Sequence, residues 1–253
     1  MARLRRCGRP VVTTVLDAVA ACRTDVGKVR RRNEDSFYQG KWLFAVADGL
    51  GGHVAGDVAS TTAIEALKAY DRAVATDDLA DVLGQGIAAA NEALRRRIRA
   101  EPDLAGMGTT MVAVLRSESA AVVANVGDSR AYLMRDFRAG DSHLHRVSED
   151  HTYRHLVSDA DAVPGLAEKL ARFLDGRHDG RSADLAVLQL CPGDRVLLCS
   201  DGLSSYVSPE VIRDVLKSSA TPHLAVDALV AGALDEGGQD NVTVMVIDIA
   251  AGS

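Results

Sequence analysis

The sequence predicts an α+β domain in which helices lie outside stacked antiparallel sheets. Strand-like apolar runs outnumber helical patterns along the 253 residues, and 47% of the residues are hydrophobic, enough for a substantial core. The helical patterns come in pairs between groups of strands, whereas a parallel βαβ arrangement would alternate single strands and helices. A chain of this length forms one large domain or two small ones, and it contains no linker or internal repeat.

The first half of the chain predicts strands, a helix pair and an antiparallel meander. Strands at 11–22 and 36–48 are joined by a charged loop. A helix is predicted at 53–75 and a second at 78–100, which has apolar residues on one face and arginines near its C-terminal end. Further strands, separated by turn signals, are predicted at 108–116, 120–126, 129–135 and 143–148.

The second half begins with its least regular part, at 152–183, where only 166–174 has a helical pattern. Regular patterns then return, and two helices again stand next to each other. The predicted elements are strands at 184–190 and 194–200, helices at 208–218 and 222–235, and a last strand at 241–249.

Composition excludes several classes of function. The net charge of −6 argues against a nucleic-acid-binding surface, which would be basic. No apolar stretch reaches the roughly 18 residues that cross a bilayer, so no membrane partner is expected. The four cysteines show no CxxC spacing, which indicates a reducing compartment. We therefore expect a cytoplasmic protein.

The N-terminus allows two interpretations. We favour a disordered basic tail at 1–10 followed by a single catalytic domain at 11–253. The alternative is an export signal, because arginines precede an apolar run that ends in Val19-Ala20-Ala21-Cys22, which is similar to a lipoprotein cleavage box. Pro10 opens that run and Asp17 interrupts it, and both features favour a first β-strand.

Four aspartates stand at the ends of strand-like runs. They are Asp48, Asp128, Asp201 and Asp240. A carboxylate at a strand end lies at the rim of a core, where several strands can converge. Four carboxylates gathered there would repel one another strongly unless a cation lay between them. Hard divalent cations prefer oxygen ligands, so the sequence predicts a site for Mg²⁺ or Mn²⁺.

Seven short motifs, in order along 21–249, resemble the metal-dependent Ser/Thr protein phosphatases of the protein phosphatase 2C (PPM) family, in their compact bacterial form. The family fold is a four-layer α-β-β-α sandwich of two antiparallel sheets flanked by helix pairs, which fits the predicted elements. The motifs are Val29-Arg30 with Asn33-Glu34-Asp35-Ser36, Asp48-Gly49-Leu50-Gly51-Gly52-His53, Gly108-Thr109-Thr110, Gly127-Asp128-Ser129-Arg130-Ala131-Tyr132, Asp150-His151-Thr152, Ser200-Asp201-Gly202-Leu203 and Gly238-Gln239-Asp240-Asn241-Val242-Thr243.

The resemblance implies a centre of two Mn²⁺ or Mg²⁺ ions per chain, with room for a third. Asp48 would bridge both metals, and the carbonyl of Gly49 would bind one of them. Asp201 and Asp240 would bind the other metal. Asp128 would help to hold the third metal together with Asp201.

The resemblance also implies the reaction. A hydroxide held between the two metals would attack the phosphorus of a phosphoserine or phosphothreonine in a protein substrate. Arg30 matches the phosphate-binding arginine, whose fork suits two phosphoryl oxygens. Glu34 and Asp35 would lie near the centre, mainly through metal-bound water. We interpret Arg31 and Arg32 as solvated loop charge.

The chain departs from the family pattern in two places. Leu50 stands where many eukaryotic members have a histidine that is thought to protonate the leaving group, so the proton source is open. Water near Asp128 is one candidate, His53 is the next, and His151 is expected to hold a turn. The segment at 153–183 corresponds to a flap over the site in bacterial members and is divergent here, so substrate specificity cannot be transferred.

The expected substrates are phosphoproteins, in particular Ser/Thr kinases of the Hanks type and their targets. One alternative is a regulatory phosphatase of anti-anti-sigma factors, although such relatives usually have looser motifs and sensory domains. Another is a pseudophosphatase that acts as a binding module, which would require a lost metal ligand. We expect a monomer with no nucleic-acid or membrane partner.

Overall fold

Two antiparallel sheets packed face to face form the centre of the computed structural model. The structure describes residues 16–50, 55–138, 142–155, 157, 159–177 and 182–252. The first sheet has five strands, with the C-terminal strand next to the N-terminal one. In spatial order they are β1 (Leu16–Asp25), β11 (Val242–Ala251), β10 (Arg195–Cys199), β7 (Arg130–Met134) and β8 (Leu144–Arg146).

The second sheet is built from the N-terminal half of the chain and one later edge strand. Its spatial order is β2 (Asp35–Gln39), β3 (Leu43–Leu50), β5 (Met111–Arg116), β6 (Ala120–Val126) and β9 (Asp184–Gln189). The two-residue strand β4 (Gly108–Thr109) pairs with the last two residues of β3. All pairings in both sheets are antiparallel.

Helices cover the outer face of each sheet. Two pack on the second sheet and two on the first, and a four-residue helix follows β10. The helices are α1 (Gly56–Leu67), α2 (Leu79–Ala100), α3 (Asp201–Ser204), α4 (Pro209–Ser218) and α5 (Pro222–Asp235). Ser208 and Thr221 cap α4 and α5, where each side chain accepts a backbone N–H and a proline follows. Among the described residues, no helix combines the length and apolar character that a membrane crossing requires.

Three apolar clusters bind the layers together. One lies between α1 and α2 and the second sheet, and another lies between α4 and α5 and the first sheet. The third joins the two sheets and includes Phe44, Val112, Leu198 and Met245. Alternate residues of the same strands point to opposite faces, so each sheet contributes to two clusters. The predicted four-layer α-β-β-α sandwich is confirmed.

The structure corrects three element predictions. The predicted strand at 36–48 is a hairpin of β2 and β3, with its turn at 40–42. The helix predicted at 53–75 ends at Leu67 and continues only as a 3₁₀ turn, while 51–54 lie outside the described residues. The short helix predicted at 166–174 is wrong, because this stretch consists of turns and two isolated bridges.

Candidate metal centre

The structure brings the four candidate aspartates together from four separate parts of the chain. Asp48 lies near the end of β3, and Asp128 lies in the turn between β6 and β7. Asp201 is the first residue of α3, and Asp240 precedes β11. The charges of Asp201, Asp128 and Asp240 all act on the Asp48 carboxyl, which places the four groups in one electrostatic site.

Burial and mutual repulsion dominate the chemistry of this cluster. Burial raises the pKa of Asp48 well above its usual range, and the negative charges of neighbouring aspartates raise it further. The pKa of Asp201 is raised by burial and then by Asp240. Burial, followed by the charge of Asp201, raises the pKa of Asp128 to about 7. A cation at this position would remove the cost of ionising all of these groups.

The oxygen atoms that remain unpaired fit such a cation. Asp201 Oδ1 is buried and makes no hydrogen bond within the described part of the chain, and the same holds for Asp35 Oδ1. In the described ranges, no group of three or more His, Cys, Asp or Glu side chains could hold a metal ion by itself. Mg²⁺ usually takes only one or two carboxylates and keeps several waters. The donor set therefore suits a hard, partly hydrated divalent cation.

Arg30 supplies the positive charge at the mouth of the centre. Its Nη2 donates to Asp240 Oδ2 at 2.7 Å, and about half of its side chain is exposed. This hydrogen bond and the charges of Asp240, Asp201 and Asp48 raise the pKa of the guanidinium. Arg31 and Arg32 are exposed, as expected of solvated loop charge. Arg30 is thus the member of this arginine run that faces the carboxylates.

Asp35 anchors a hydroxyl network beneath the cluster. Its Oδ2 accepts hydrogen bonds from Ser200 Oγ at 2.8 Å and from Thr243 Oγ1 at 2.7 Å. Thr243 Oγ1 also lies 2.7 Å from Thr24 Oγ1 on β1. Burial raises the pKa of Asp35 to about 7 against these hydrogen bonds, and Asp201 contributes further. The network therefore joins β2 of one sheet to β1, β10 and β11 of the other.

Asn241 holds the loop that carries Arg30 and Glu34. Its Oδ1 accepts the backbone N–H of Glu34 at 2.8 Å, and its Nδ2 donates to the carbonyls of Val26 and Arg32 at 2.9 and 2.8 Å. Burial raises the pKa of Glu34, and the charge of Asp57 adds to the effect. One side chain thus fixes the position of the arginine and of a carboxylate beside the centre.

Two glycines allow the close approaches that the centre needs. A Cβ on Gly49 would lie 2.1 Å from the Gly56 carbonyl oxygen, so only glycine lets the start of α1 pack here. A Cβ on Gly202 would lie 1.9 Å from the Asn241 carbonyl oxygen. Both residues follow a candidate ligand directly. Any larger side chain would therefore push Asp48 or Asp201 out of place.

The sequence of the chain matches a known protein family. A model of the family described as protein phosphatase 2C matches residues 17–157 of the chain. The serine/threonine phosphatase stp of Listeria monocytogenes is 34% identical over 244 residues, which cover 90% of this chain and 95% of the relative. The chain belongs to the protein phosphatase 2C family.

A second curated relative and a solved structure show a comparable similarity. The serine/threonine protein phosphatase PstP of Mycobacterium tuberculosis is 41% identical over 238 residues, and the match covers 90% of this chain but 44% of that protein. The chain therefore spans less than half of this relative. A crystal structure of the PstP catalytic domain in complex with two manganese ions has a TM-score of 0.81 and 39% identity, and the match covers 93% of this chain and 99% of that one.

In this protein phosphatase 2C domain, several residues that position the candidate ligands were not predicted from the sequence. Ser200, Asn241 and Thr243 belong to the same motifs as Asp201 and Asp240, and the sequence predicted no role for them. Arg130 is another: its guanidinium binds both oxygens of Asp150, at 3.1 and 2.8 Å, and donates to the Ser204 carbonyl at 3.2 Å. Arg130 thus ties β7 to the short helix that begins with Asp201.

The structure limits which of the described side chains could donate a proton to the leaving group. Leu50 carries no ionisable group, and His53 lies outside the described residues. His151 is buried, its Nδ1 accepts the backbone N–H of Gly127 at 3.1 Å, and its Nε2 lies 3.2 Å from Asp184 Oδ2. Both nitrogens of His151 are therefore engaged in holding the turn before Asp128.

Proposed function

We propose that this chain is a metal-dependent protein phosphatase that hydrolyses phosphoserine and phosphothreonine in proteins. The observation that carries this proposal is the convergence of four aspartates from separate parts of the chain, with an arginine at their edge; burial and neighbouring charges raise the pKa values of Asp48, Asp128 and Asp201. Such a cluster is costly without cations and suits two-metal phosphoryl transfer with them. The names of the PstP and stp relatives support the same reaction class.

In this proposal Asp48, Gly49, Asp201 and Asp240 hold two Mn²⁺ or Mg²⁺ ions, and Asp128 helps to hold a third. The manganese ions in the PstP structure support this cofactor. When bound, the cations would supply a nucleophile from water at neutral pH and offset charge on the phosphoryl group. Glu34 and Asp35 orient the surrounding water from the rim and from below.

Arg30 binds and orients the phosphoryl group. Its guanidinium has five N–H donors in a planar fork, and its Nη2 is engaged with Asp240. The exposed half of the side chain faces the approach to the centre, where two phosphoryl oxygens can be bound at once. Burial and the charges of Asp240 and Asp201 raise the pKa of Tyr206, so its side chain lies within the electrostatic field of the same carboxylates.

The leaving seryl or threonyl oxygen needs a proton, and the described side chains restrict its source. Leu50 has none to give, and both nitrogens of His151 are already engaged. We therefore assign the proton to water held at the Asp128 side of the cluster. The charge on the leaving oxygen would then be neutralised by solvent and not by the imidazole of His151.

The direct test is phosphate release from phosphothreonine and phosphoserine peptides with Mn²⁺, with Mg²⁺ and after chelation. A phosphotyrosine peptide of the same sequence is the specificity control. We expect turnover that requires the metal and disappears in Asp201→Asn, whereas Asp214→Asn on the exposed face of α4 retains it. A metal-loaded, folded protein that releases no phosphate would instead support the pseudophosphatase alternative.

We further propose that the physiological substrates are Ser/Thr kinases of the Hanks type and their target proteins. The tight motifs around Asp35 and Asp48 favour this general role over the regulation of anti-anti-sigma factors. A comparison of phosphoproteomes with and without an active chain tests this proposal. Increased phosphothreonine on kinase activation segments after loss of the chain supports it, and increased phosphorylation of anti-anti-sigma factors alone would contradict it.

A further inference from the structure

A cavity of about 460 Å³ lies on the second-sheet side of the domain. The C-terminal half of α2 forms one wall with Arg95, Ile98 and Arg99. Tyr153 and Phe173, from the irregular part of the chain before β9, line the cavity too. None of the candidate metal ligands lines it. Its volume falls within the range of about 300–1,000 Å³ that is typical of small-molecule sites.

The lining combines cations with an apolar surface. The arginines are Arg95, Arg99 and Arg177, and the acidic lining residue is Asp175. Arg95 is paired with Glu92 at 2.5 Å, and Arg177 Nε lies 3.4 Å from Asp175 Oδ2. Arg99 makes no ion pair within the described part of the chain. A local excess of arginine in a chain of net charge −6 favours an anionic ligand.

The direction of these arginines follows from helix geometry. Residues four apart lie on the same face of a helix, so Arg95 and Arg99 point to the same side of α2. Their neighbours Arg96 and Arg97 do not line the cavity: Arg96 lies 3.8 Å from Glu92, the residue that also pairs with Arg95, and Arg97 lies 3.1 Å from Glu101, just after the helix. Of the four arginines near the end of α2, Arg95 and Arg99 therefore face the cavity, and Arg96 and Arg97 point away from it.

The cavity is mechanically linked to Asp48. A Cβ on Gly108 would lie 2.7 Å from the Phe173 ring, so this ring packs directly on the backbone of β4. The next residue, Thr109, exchanges two backbone hydrogen bonds of 2.9 Å with Leu174. Thr109 Oγ1 donates to the Asp48 carbonyl at 2.8 Å. A ligand that presses on Phe173 therefore acts on the backbone of Asp48 through two intervening contacts.

We propose that this cavity is a second binding site, distinct from the metal centre, for a small organic anion with an aromatic body. Its sulfonate-, phosphate- or carboxylate-type group binds Arg99, and its ring lies against Tyr153 and Phe173. Binding orders the contact between Phe173, Thr109 and Asp48, so that occupancy of the cavity is sensed at the metal centre.

Naphthalene-2-sulfonate is a suitable probe because no phosphatase can hydrolyse it. Its binding to the full chain is measured by calorimetry, both with Mn²⁺ and after chelation, so the result does not depend on turnover. The neutral naphthalene-2-sulfonamide has the same ring system and is the ligand control. We expect saturable binding of the sulfonate with and without metal, and binding of the sulfonamide at least tenfold weaker. Equal affinity of the two compounds would overturn the proposal.

Arg99→Gln tests the position of the anion, and Arg96→Gln on the same helix is its matched control. Loss of a charge-assisted hydrogen bond should weaken sulfonate binding about tenfold in Arg99→Gln and leave it unchanged in Arg96→Gln. Equal affinities in the two variants would show that the anion is not bound at this cavity.

Hydrogen exchange tests the connection to the centre. The bound sulfonate should slow exchange of the amides of Thr109 and Leu174, while the amides of β11 serve as the internal control. Binding that leaves the exchange of both amides unchanged would overturn the proposed link to Asp48.

Discussion

The backbone N–H of Asp48 donates a hydrogen bond to Thr110 Oγ1 at 3.0 Å, and the same hydroxyl lies 2.8 Å from Ser129 Oγ. One side chain therefore joins the end of β3 to the turn that carries Asp128. The Thr110 hydroxyl thus connects the backbone of Asp48 to the residue that follows Asp128.

Thr110→Val should weaken cation binding without unfolding the chain. The valine fills nearly the same space but removes the hydroxyl, and partners that orient metal ligands typically contribute about 10–100-fold in affinity. Titration calorimetry with Mn²⁺ measures the change. Thr76→Val removes a comparable hydroxyl contact, to Ser117, far from the centre and should leave the affinity unaltered. An unchanged Kd in Thr110→Val would show that Asp48 needs no such support.

Arg30→Ala should act mainly on substrate binding. A charge-assisted hydrogen bond contributes about 1.5–3 kcal/mol, so KM for a phosphothreonine peptide should rise about tenfold or more, with a smaller change in kcat. Arg31→Ala, in the same loop but exposed, is the matched control. If both variants keep the wild-type KM, Arg30 is only the partner of Asp240.

Asp201→Asn should make the metal-free protein more stable while it abolishes turnover. Burial and Asp240 already raise the pKa of Asp201, so the removal of its charge relieves repulsion in the folded state. We expect Tm after chelation to rise by about 2–4 °C, the shift that about 1 kcal/mol produces in a domain of this size. Thermal unfolding with and without Mn²⁺ checks this. A lower Tm in the chelated variant would refute the repulsion.

Arg195→Met should strongly destabilise the first sheet. The Arg195 side chain is fully buried and binds Asp248 through two hydrogen bonds of 2.6 and 2.8 Å. Loss of one partner of a buried ion pair costs about 3–5 kcal/mol, because the other charge is left unpaired. Urea unfolding measures the loss. The double variant with Asp248→Leu should recover part of it, whereas Arg213→Met at an exposed pair should change stability little.

His151 should make the fold sensitive to mild acid. Burial lowers the pKa of His151, against the attraction of Asp184 and with a small contribution from Arg172. The folded state therefore binds fewer protons than the unfolded state below about pH 6.5, where a free histidine titrates. The free energy of unfolding should fall as pH drops from 7 towards 5. In urea unfolding, the free energy of unfolding of His151→Gln should depend less steeply on pH than that of the wild type. The control is His223→Gln, at an exposed position on α5, which should keep the wild-type dependence.

The periodicity of apolar residues correctly predicted those helices and strands that are determined by their own local sequence. The helix predicted at 78–100 is α2 almost to the residue, because its apolar face repeats without interruption. The single strand predicted at 36–48 is instead the hairpin of β2 and β3, and the cause lies outside this segment. Asp71 accepts the backbone N–H groups of Lys41, Trp42 and Leu43, and these hydrogen bonds hold the hairpin turn from about thirty residues away.

In the candidate metal centre too, some features follow from local sequence and others depend on contacts between distant residues. Aspartates at strand ends predicted a shared cation site, and the structure brings the four carboxylates within electrostatic reach of one another. The roles of Ser200 and Thr243 could not be predicted, since a small hydroxyl residue in an apolar run looks the same whether it faces a core or a carboxylate. Strand register decides between these cases, and it places Thr243 opposite Thr24 and next to Asp35.

The four aspartates that are candidate ligands span residues 48 to 240, and each comes from a separate part of the two-sheet fold. No contiguous piece of the chain shorter than this interval contains all four. A short peptide from this chain therefore cannot reproduce the centre, and the exchange of one short segment cannot transfer it to another protein. Such a site requires the whole sandwich, and we expect that the loss of one aspartate would abolish its activity and leave the sandwich in place.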